Sequence, residues 1–243
     1  MATHMNKNDY TNYYKNHGGY QNSEKASDRA LEIRIRSLRA NFQKLINPLD
    51  RNIRILEIGC GQGTFAEYLR REGFTDYTGF DFDSVAIDSN KNTFPGYQFS
   101  DGDVLEFLQN NGDTFDLIFM SHVYEHLTPE DGREMAEKIY HALKTQGIWL
   151  NIMPNAGSLF SSAFGRYADL THKTLYSSGS MSQQLLSVGF QKENISHYNS
   201  TFPYIFFEYY QRVVRFLARL LLRSLGYLND AITTFEIVTI ARK

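Results

Sequence analysis

The chain has 243 residues, 42% of them hydrophobic and 21% charged, which is enough to bury the core of one large α/β domain. Twenty-five basic against 27 acidic residues leave a net charge of −2, so no global basic surface points to nucleic acid. A single cysteine, Cys60, excludes an internal disulfide framework and a multi-cysteine zinc site.

Met1–Met5 reads as an expression scar ahead of a native start at Met5. No run reaches the ~18 apolar residues of a membrane span, and no signal peptide is recognised. A reducing, cytoplasmic setting is expected.

Residues 6–22 are polar and tyrosine-rich and predict an irregular arm, a candidate lid over a bound ligand. From Ser23 to Ile46 the spacing of Leu31, Ile35, Leu38, Phe42 and Leu45 predicts an amphipathic helix, so that arm and helix fill 6–47. The domain proper runs from 48 to 243. In it, apolar runs predict strands at Ile53–Ile58, Tyr77–Asp81, Tyr97–Phe99, Phe115–Met120 and Ile148–Met153. Helical patterns lie between them at Thr64–Glu72, Ser84–Asn92 and Val104–Gln109, then after Thr128, a capping residue followed by Pro129. Strands separated by helices of about ten residues imply βαβ units and a mostly parallel, doubly wound α/β sheet.

Past residue 153 the alternation stops. A polar loop is expected over 154–177, a short helix over Met181–Val188, and strands over Phe190–Tyr198 and Glu236–Ala241. Between those strands lies an inserted apolar helix, Phe202–Leu228. Its Arg212, Arg215, Arg219 and Arg223 recur every three or four residues and so form one stripe. An oligomer face, a helix resting on an anionic membrane and a lid over a substrate cleft all fit this pattern.

The first strand runs into Gly59-Cys60-Gly61-Gln62-Gly63-Thr64, and a helix follows. Glycines allow a sharp turn and close approach of a ligand. A dinucleotide fingerprint would place a third glycine at Thr64, and Glu57 would repel a pyrophosphate. A ligand with a cationic amino acid and no phosphate, such as S-adenosylmethionine, removes that conflict.

With Gly79-Phe80-Asp81, Gly102-Asp103-Val104 and the run Phe115–Leu127 in order behind that loop, residues 53–153 resemble class I S-adenosylmethionine-dependent methyltransferases. The resemblance implies a Rossmann-like seven-stranded sheet, mostly parallel with the last strand antiparallel, and helices on both faces. It implies that Glu57, Gly59, Cys60, Gly61 and Gly63 hold the methionine part of S-adenosyl-L-methionine. Asp81 would bind the ribose hydroxyls, Asp103 and Val104 would meet the adenine, and Ser121 would close the site. Phe82 packs either on the adenine or in the core, and Asp103 could equally be a helix cap.

Methyl transfer from a sulfonium requires the acceptor to be positioned and its proton removed. The acceptor belongs outside the C-terminal ends of the fourth and fifth strands. That makes His122, His126 and His172 the candidate bases, with Glu125 and Asp169 nearby, while His141 and His197 are bystanders. His126 could instead simply pack against its turn. His122, Glu125 and His126 have the i, i+3, i+4 spacing of a metal set, and resemble the Glu-x-x-Glu-His stretch of ubiquinone-pathway O-methyltransferases. His122 stands where that stretch has its first acid, and no metal is assigned. Segment 151–177 and the arginine-striped insert resemble methyltransferases of surface-polysaccharide biosynthesis. The resemblance implies O-methylation of a sugar or glycan intermediate, with a quinone or phenolic O-methyltransferase at the membrane, or a non-catalytic cofactor-binding protein, as alternatives. The partners expected are a small-molecule or glycan acceptor and no nucleic acid, with contact through 202–228 to the inner membrane face or a second copy.

Overall fold

A computed structural model describes residues 28–158, 169, 171–200 and 235–243, with single helical positions between 210 and 224. The tyrosine-rich arm, Arg166, Tyr167 and the four arginines of the insert lie outside the described residues.

In chain order the elements are α1 Asp28–Ile46, β1 Ile55–Ile58, α2 Thr64–Arg71, β2 Tyr77–Phe80, α3 Ser84–Thr93, β3 Gln98–Ser100 and α4 Val104–Gln109. Then come β4 Phe115–Ser121, a 3₁₀ turn Tyr124–His126, α5 Pro129–Ala142, β5 Leu143–Pro154, α6 Ser178–Ser187, β6 Ile195–Asn199 and β7 Glu236–Arg242. They build one seven-stranded sheet in the order β3-β2-β1-β4-β5-β7-β6. Strands β1 to β5 are parallel, and β7 is antiparallel to both β5 and β6.

The two-residue period of the strands sorts their side chains onto two cores. Leu56, Ile118, Met120, Trp149 and Met153 face α4, α5 and α6, where Leu108, Met135, Ile139, Met181 and Leu185 close the core. Ile55, Leu117, Phe119, Leu150 and Ile152 face α1, α2 and α3, which supply Ile35, Phe42, Phe65, Leu69 and Ile87. The Phe65 and Phe119 rings stack at 3.9 Å on that second face. Helices therefore cover both sides of the sheet, as the pattern of alternating elements implied.

Two strands depart from their expected limits. β5 starts five residues before Ile148, because Leu143 pairs with Phe115 across an irregularity at 115–117. Its polar residues 144–146 are half-buried or exposed, and Gln146 turns with φ 67°, so no apolar run marks that start. β6 starts at Ile195 rather than Phe190. Gly189 turns the chain with φ 118°, and Phe190 drops into the core against Tyr140, ring centroids 4.9 Å apart. Only after the 3₁₀ turn Lys192–Asn194 does the chain extend.

The connections reverse direction between β1 and β4, which are neighbours with Ile58 beside Met120. At such a switch point the carboxyl ends of the strands open onto a crevice. The glycine loop leaves β1 at this place, and His122 leaves β4.

Candidate active site

The cofactor side is held mainly by backbone. Gly59 has φ 79°, and a Cβ there would lie 2.3 Å from Val123 Cγ2, so the loop after β1 packs directly on the turn after β4. Its amide and that of Cys60 donate to the Phe80 carbonyl, at 2.7 and 3.1 Å. Gly61 has φ 46° and nothing within 4 Å of where its Cβ would be. That bare stretch of backbone facing open space is what close approach of a ligand requires. Gly63, with φ 75°, serves as the N-cap of α2 and lies against Asn90 and Phe94. Asn90, buried on α3, donates to the Gly61 carbonyl at 2.8 Å and so fixes the loop from behind. No motif in the sequence announces it; its one signal is an amide at a helix position that faces the core.

Asp81, at the end of β2, is 5% exposed and accepts the Gly61 amide at 2.7 Å on Oδ2 and the Asp83 amide at 3.0 Å on Oδ1. Each oxygen keeps a second acceptor position. Burial raises its pKa above the ordinary aspartate value, and the amide bonds oppose that shift. Glu57 is turned to the core and accepts the Tyr77 hydroxyl. Burial holds its carboxyl well above the usual range despite that bond, and the nearby Asp81 charge adds to the effect. It supports the loop between β1 and β2 more than it offers a free charge. Cys60 is buried and its thiol is pushed up by burial and the two acids, so it is not a nucleophile.

Asp103 ends the approach to α4 as its N-cap, with Oδ1 accepting from Leu105 at 2.9 Å and Glu106 at 3.3 Å. The capping role is thus present, at the carboxyl end of β3. Val104 is half-buried against the core, Phe82 is half-buried beside Asp81, and Ser121 is half-buried as the last residue of β4.

The acceptor side is made of side chains from four segments. His122 adopts φ 55°, rare for a residue with a Cβ, anchored by its amide on the Ile152 carbonyl at 2.9 Å. Its ring lies between two carboxyl groups, Nδ1 at 3.3 Å from Glu125 Oε1 and Nε2 at 3.1 Å from Glu236 Oε1. The side chain is still 47% exposed, so solvent screens the pairs in part; desolvation disfavours the proton, but the two acids outweigh it and lift the imidazole to about 10. Glu236 is lowered in turn: burial works against its charge, and His122 more than compensates. Sequence reading missed Glu236, the first residue of β7, because 114 positions separate it from His122.

The loop after β5 docks on the turn after β4. The amides of Lys173 and Thr174 donate to the Glu125 carbonyl at 2.9 and 3.1 Å, and the Thr174 hydroxyl donates to the Leu127 carbonyl at 2.8 Å. This docking places His172 edge-on to His126, ring centroids 4.9 Å apart, with Nε2 3.9 Å from Glu125 Oε1 and 3.8 Å from Asp169 Oδ2. One donor atom each of Glu125, His126 and His172 lie within 4.8 Å of one another, a spacing a divalent cation could span. Sequence spacing did not foresee that set, since His172 arrives from another loop. Glu125 already meets the His122 imidazolium.

His126 is 6% exposed. Burial lowers its pKa, with the charge of Glu125 opposing, so the ring is neutral at pH 7. Its tautomer follows from Thr171. That hydroxyl has one hydrogen, donated to Asp169 Oδ1 at 2.6 Å, and can only accept from His126 Nδ1 at 3.0 Å. The proton therefore sits on Nδ1 and the lone pair on Nε2. His197, between Ser182 and Thr239 at 2.8 and 2.9 Å, is built into the sheet edge and takes no part.

A family model described as a methyltransferase domain matches residues 30–195, most of the chain and all of this crevice but Glu236. The chain belongs to the methyltransferase-domain family. Among solved structures it is similar to an S-adenosylmethionine-dependent methyltransferase from Archaeoglobus fulgidus, at 23% identity and a TM-score of 0.63, covering 87% of this chain and 96% of that one. It is also similar to phosphoethanolamine N-methyltransferase 2 of Haemonchus contortus in complex with S-adenosyl-L-methionine, at 20% identity and a TM-score of 0.62, covering 96% of this chain and 59% of that one. Two curated relatives match over the core. Malonyl-[acyl-carrier protein] O-methyltransferase of Calditerrivibrio nitroreducens is 29% identical over 96 residues, 38% of this chain and 35% of that protein. Trans-aconitate 2-methyltransferase of Rhizobium rhizogenes is 28% identical over 109 residues, 44% and 41% respectively. The chain thus spans well under half the length of the curated relatives it matches. S-adenosylmethionine is the cofactor of this methyltransferase fold, and the bare Gly61 backbone beside Asp81 fits it.

Proposed function

We propose that the protein methylates a hydroxyl group of a neutral acceptor, a sugar or glycan intermediate, with S-adenosylmethionine as donor. Bound there, the cofactor supplies an activated methyl group on a sulfonium. Gly59, Gly61 and Gly63 cradle it, Asp81 accepts from its ribose hydroxyls, and Asp103 lies toward its adenine.

The acid–base character of the acceptor side carries the reading. A hydroxyl must lose its proton as the methyl arrives, and a positioned base is worth roughly 10²–10⁴ in rate. His126 supplies a neutral imidazole with its lone pair on Nε2, and His172 lies against it. His122 is assigned a different part from the one its sequence position suggested. An imidazole already protonated up to about 10 cannot accept a proton at neutral pH, so it serves as a fixed cation that orders Glu125 and Glu236.

The two curated relatives are named for acids, malonyl-acyl carrier protein and trans-aconitate. A carboxylate acceptor is ionised at neutral pH, so it needs a cationic clamp and no base. Among the described residues, Glu125 and Glu236 flank the His122 imidazolium and Asp169 lies against His172, a balance that disfavours an anion. Transfer of labelled methyl groups to a panel of neutral sugars, phenols, malonyl thioester and trans-aconitate tests this. Labelled methyl ethers of sugars are expected. Labelled carboxyl esters, or phenol ethers alone, would overturn the assignment.

A further inference from the structure

One chain of hydrogen bonds on the acceptor side crosses from the loop after β5 to the turn after β4. Asp169 Oδ1 accepts the Thr171 hydroxyl at 2.6 Å and the Thr171 amide at 2.8 Å, and Thr171 Oγ1 lies 3.0 Å from His126 Nδ1. The near half is an ordinary turn in which an acid holds a residue two positions on. The far half is not local. Thr171 and His126 are 45 positions apart and meet because the amides of Lys173 and Thr174 dock on the Glu125 carbonyl. The hydroxyl has a single hydrogen and donates it to the carboxylate, so toward the ring it presents only a lone pair.

Asp169 stays an anion. Burial opposes its charge, but the two bonds from Thr171, helped by the imidazoles of His172 and His126, hold its carboxyl below the ordinary aspartate range. So weak a base is poorly matched to a hydroxyl proton. Its charge acts on His126 instead. A hydroxyl that donates to an anion is a better acceptor than a free one, because successive bonds polarise one another. That anchors the Nδ1–H of His126 and favours its charged form, against the burial that lowers its pKa. Glu125 acts in the same sense from its own turn, and His172 in the opposite one. The second oxygen of Asp169 lies 3.8 Å from His172 Nε2, so one carboxylate faces both rings.

We propose that Asp169 and Thr171 are positioning residues of the methyl transfer, a carboxylate–hydroxyl–imidazole relay that keeps the His126 lone pair on Nε2, the atom that takes the acceptor's proton. This rests on the reading of His126 as the base. No proton passes along the relay. The acceptor hydroxyl gives its proton to Nε2 as its oxygen bonds the methyl carbon, the carbon–sulfur electron pair stays on sulfur, and the imidazolium later returns the proton to water. As the ring gains charge, the Nδ1–H bond to Thr171 strengthens under the Asp169 carboxylate, so the relay favours the charged ring over the neutral one. An acid bonded directly to an imidazole fixes its tautomer in the same way; here a threonine is interposed.

Nitrogen NMR of the full chain with isotope-labelled histidine reads the relay without acceptor or cofactor, the His126 ring being assigned by its loss in His126→Ala. Wild type should show His126 protonated on Nδ1 and titrating below ordinary histidine. Thr171→Val removes the acceptor, so the form protonated on Nε2 should appear and the titration should move lower still. Asp169→Asn should lower the titration too, and Thr171→Ser, which restores the hydroxyl, should recover the wild-type tautomer. Single-turnover methyl transfer to neutral sugars should follow: about ten- to 100-fold slower in Thr171→Val, with its rising limb at lower pH, and recovered to within about three-fold by serine. S-adenosylhomocysteine affinity within about two-fold reports that each variant is folded; if Thr171→Val does not fold, Asp169→Asn against Thr171→Ser carries the comparison. A purely structural Thr171 would change stability and leave tautomer and titration alone. His126 protonated on Nε2 in wild type overturns the proposal, as does a folded Thr171→Val with unchanged tautomer and titration. A His126→Ala protein that keeps its rate, with the tautomer responding as stated, would remove the base reading and the relay's part in the reaction with it.

Discussion

The two halves of the crevice are built on different principles. On the side proposed for the cofactor, the positions come from short stretches at consecutive strand ends, and backbone atoms make much of the surface: the Gly59–Gly63 loop, then Asp81 twenty residues on, bonded to the Gly61 amide. On the acceptor side the groups are side chains, and they converge from β4, the turn after it, the loop after β5 and the start of β7. A binding surface made from backbone tolerates change in most side chains. A surface made from coupled ionisable side chains does not, because each partner sets the charge state of the next.

The largest effect expected is on the acceptor side. His126→Ala or Glu125→Gln should lower chemistry-limited turnover ~100-fold or more, within the range of a lost general base, while cofactor affinity stays within about three-fold. Single-turnover rates at saturating cofactor read this directly. Chelator in the assay sharpens it: an unchanged rate fits the acid–base reading, and loss restored by added Mn²⁺ would make the Glu125–His126–His172 set a cation site.

Asp81→Ala should do the reverse. It removes an acceptor of charge-assisted bonds, and calorimetry should show S-adenosylhomocysteine affinity weakened by ~2–4 kcal/mol. Unchanged affinity in a folded variant would break the assignment of the cofactor side.

Smaller effects concern stability. Gly59→Ala must adopt φ 79° and displace Val123, so it should destabilise the domain by roughly 1–3 kcal/mol in denaturant titration. Asp103→Ala removes the cap of α4 and should cost about 0.5–2 kcal/mol; a loss of cofactor affinity beyond that would show the adenine contact as well.

The last is a pH effect, which solvent at the half-exposed His122 ring reduces. His122 is raised from its unfolded value to about 10. Its contribution to stability is therefore complete below about pH 6.5 and is lost as pH rises through 10. Unfolding curves of wild type and His122→Asn should converge across that window. Curves that stay parallel would show that Glu125 and Glu236 do not hold the proton.

The same contrast explains what could be read from the sequence. The strands and helices through β4 were legible because each is a local period, and the turn at Gly59, Gly61 and Gly63 and the strand end at Asp81 were legible as places in the fold because they are local too. Asn90 and Glu236 were not, since an amide behind a loop and an acid at the far edge of the sheet acquire meaning only when the chain is folded. His122 was placed correctly at the end of β4, yet its charge state depends on a partner 114 residues away. Thr171 went unnoticed for a similar reason: its role is to accept a hydrogen bond from His126 Nδ1–H, and nothing in Leu170-Thr171-His172 shows that neighbour. The start of β5 was hidden by polar residues that pair nonetheless.

The division of labour between the two sides is the central claim, and one measurement reaches it most directly. With enzyme in excess over labelled S-adenosylmethionine and a saturating sugar acceptor, the single-turnover rate is followed against pH for wild type, His122→Asn and His126→Ala. The account predicts that the wild-type rate rises through an apparent pKa below that of ordinary histidine, that His122→Asn keeps this limb, and that His126→Ala loses the rate at least ~100-fold. A limb that moves toward 10, or that disappears with His122 while His126→Ala stays near wild type, would contradict it.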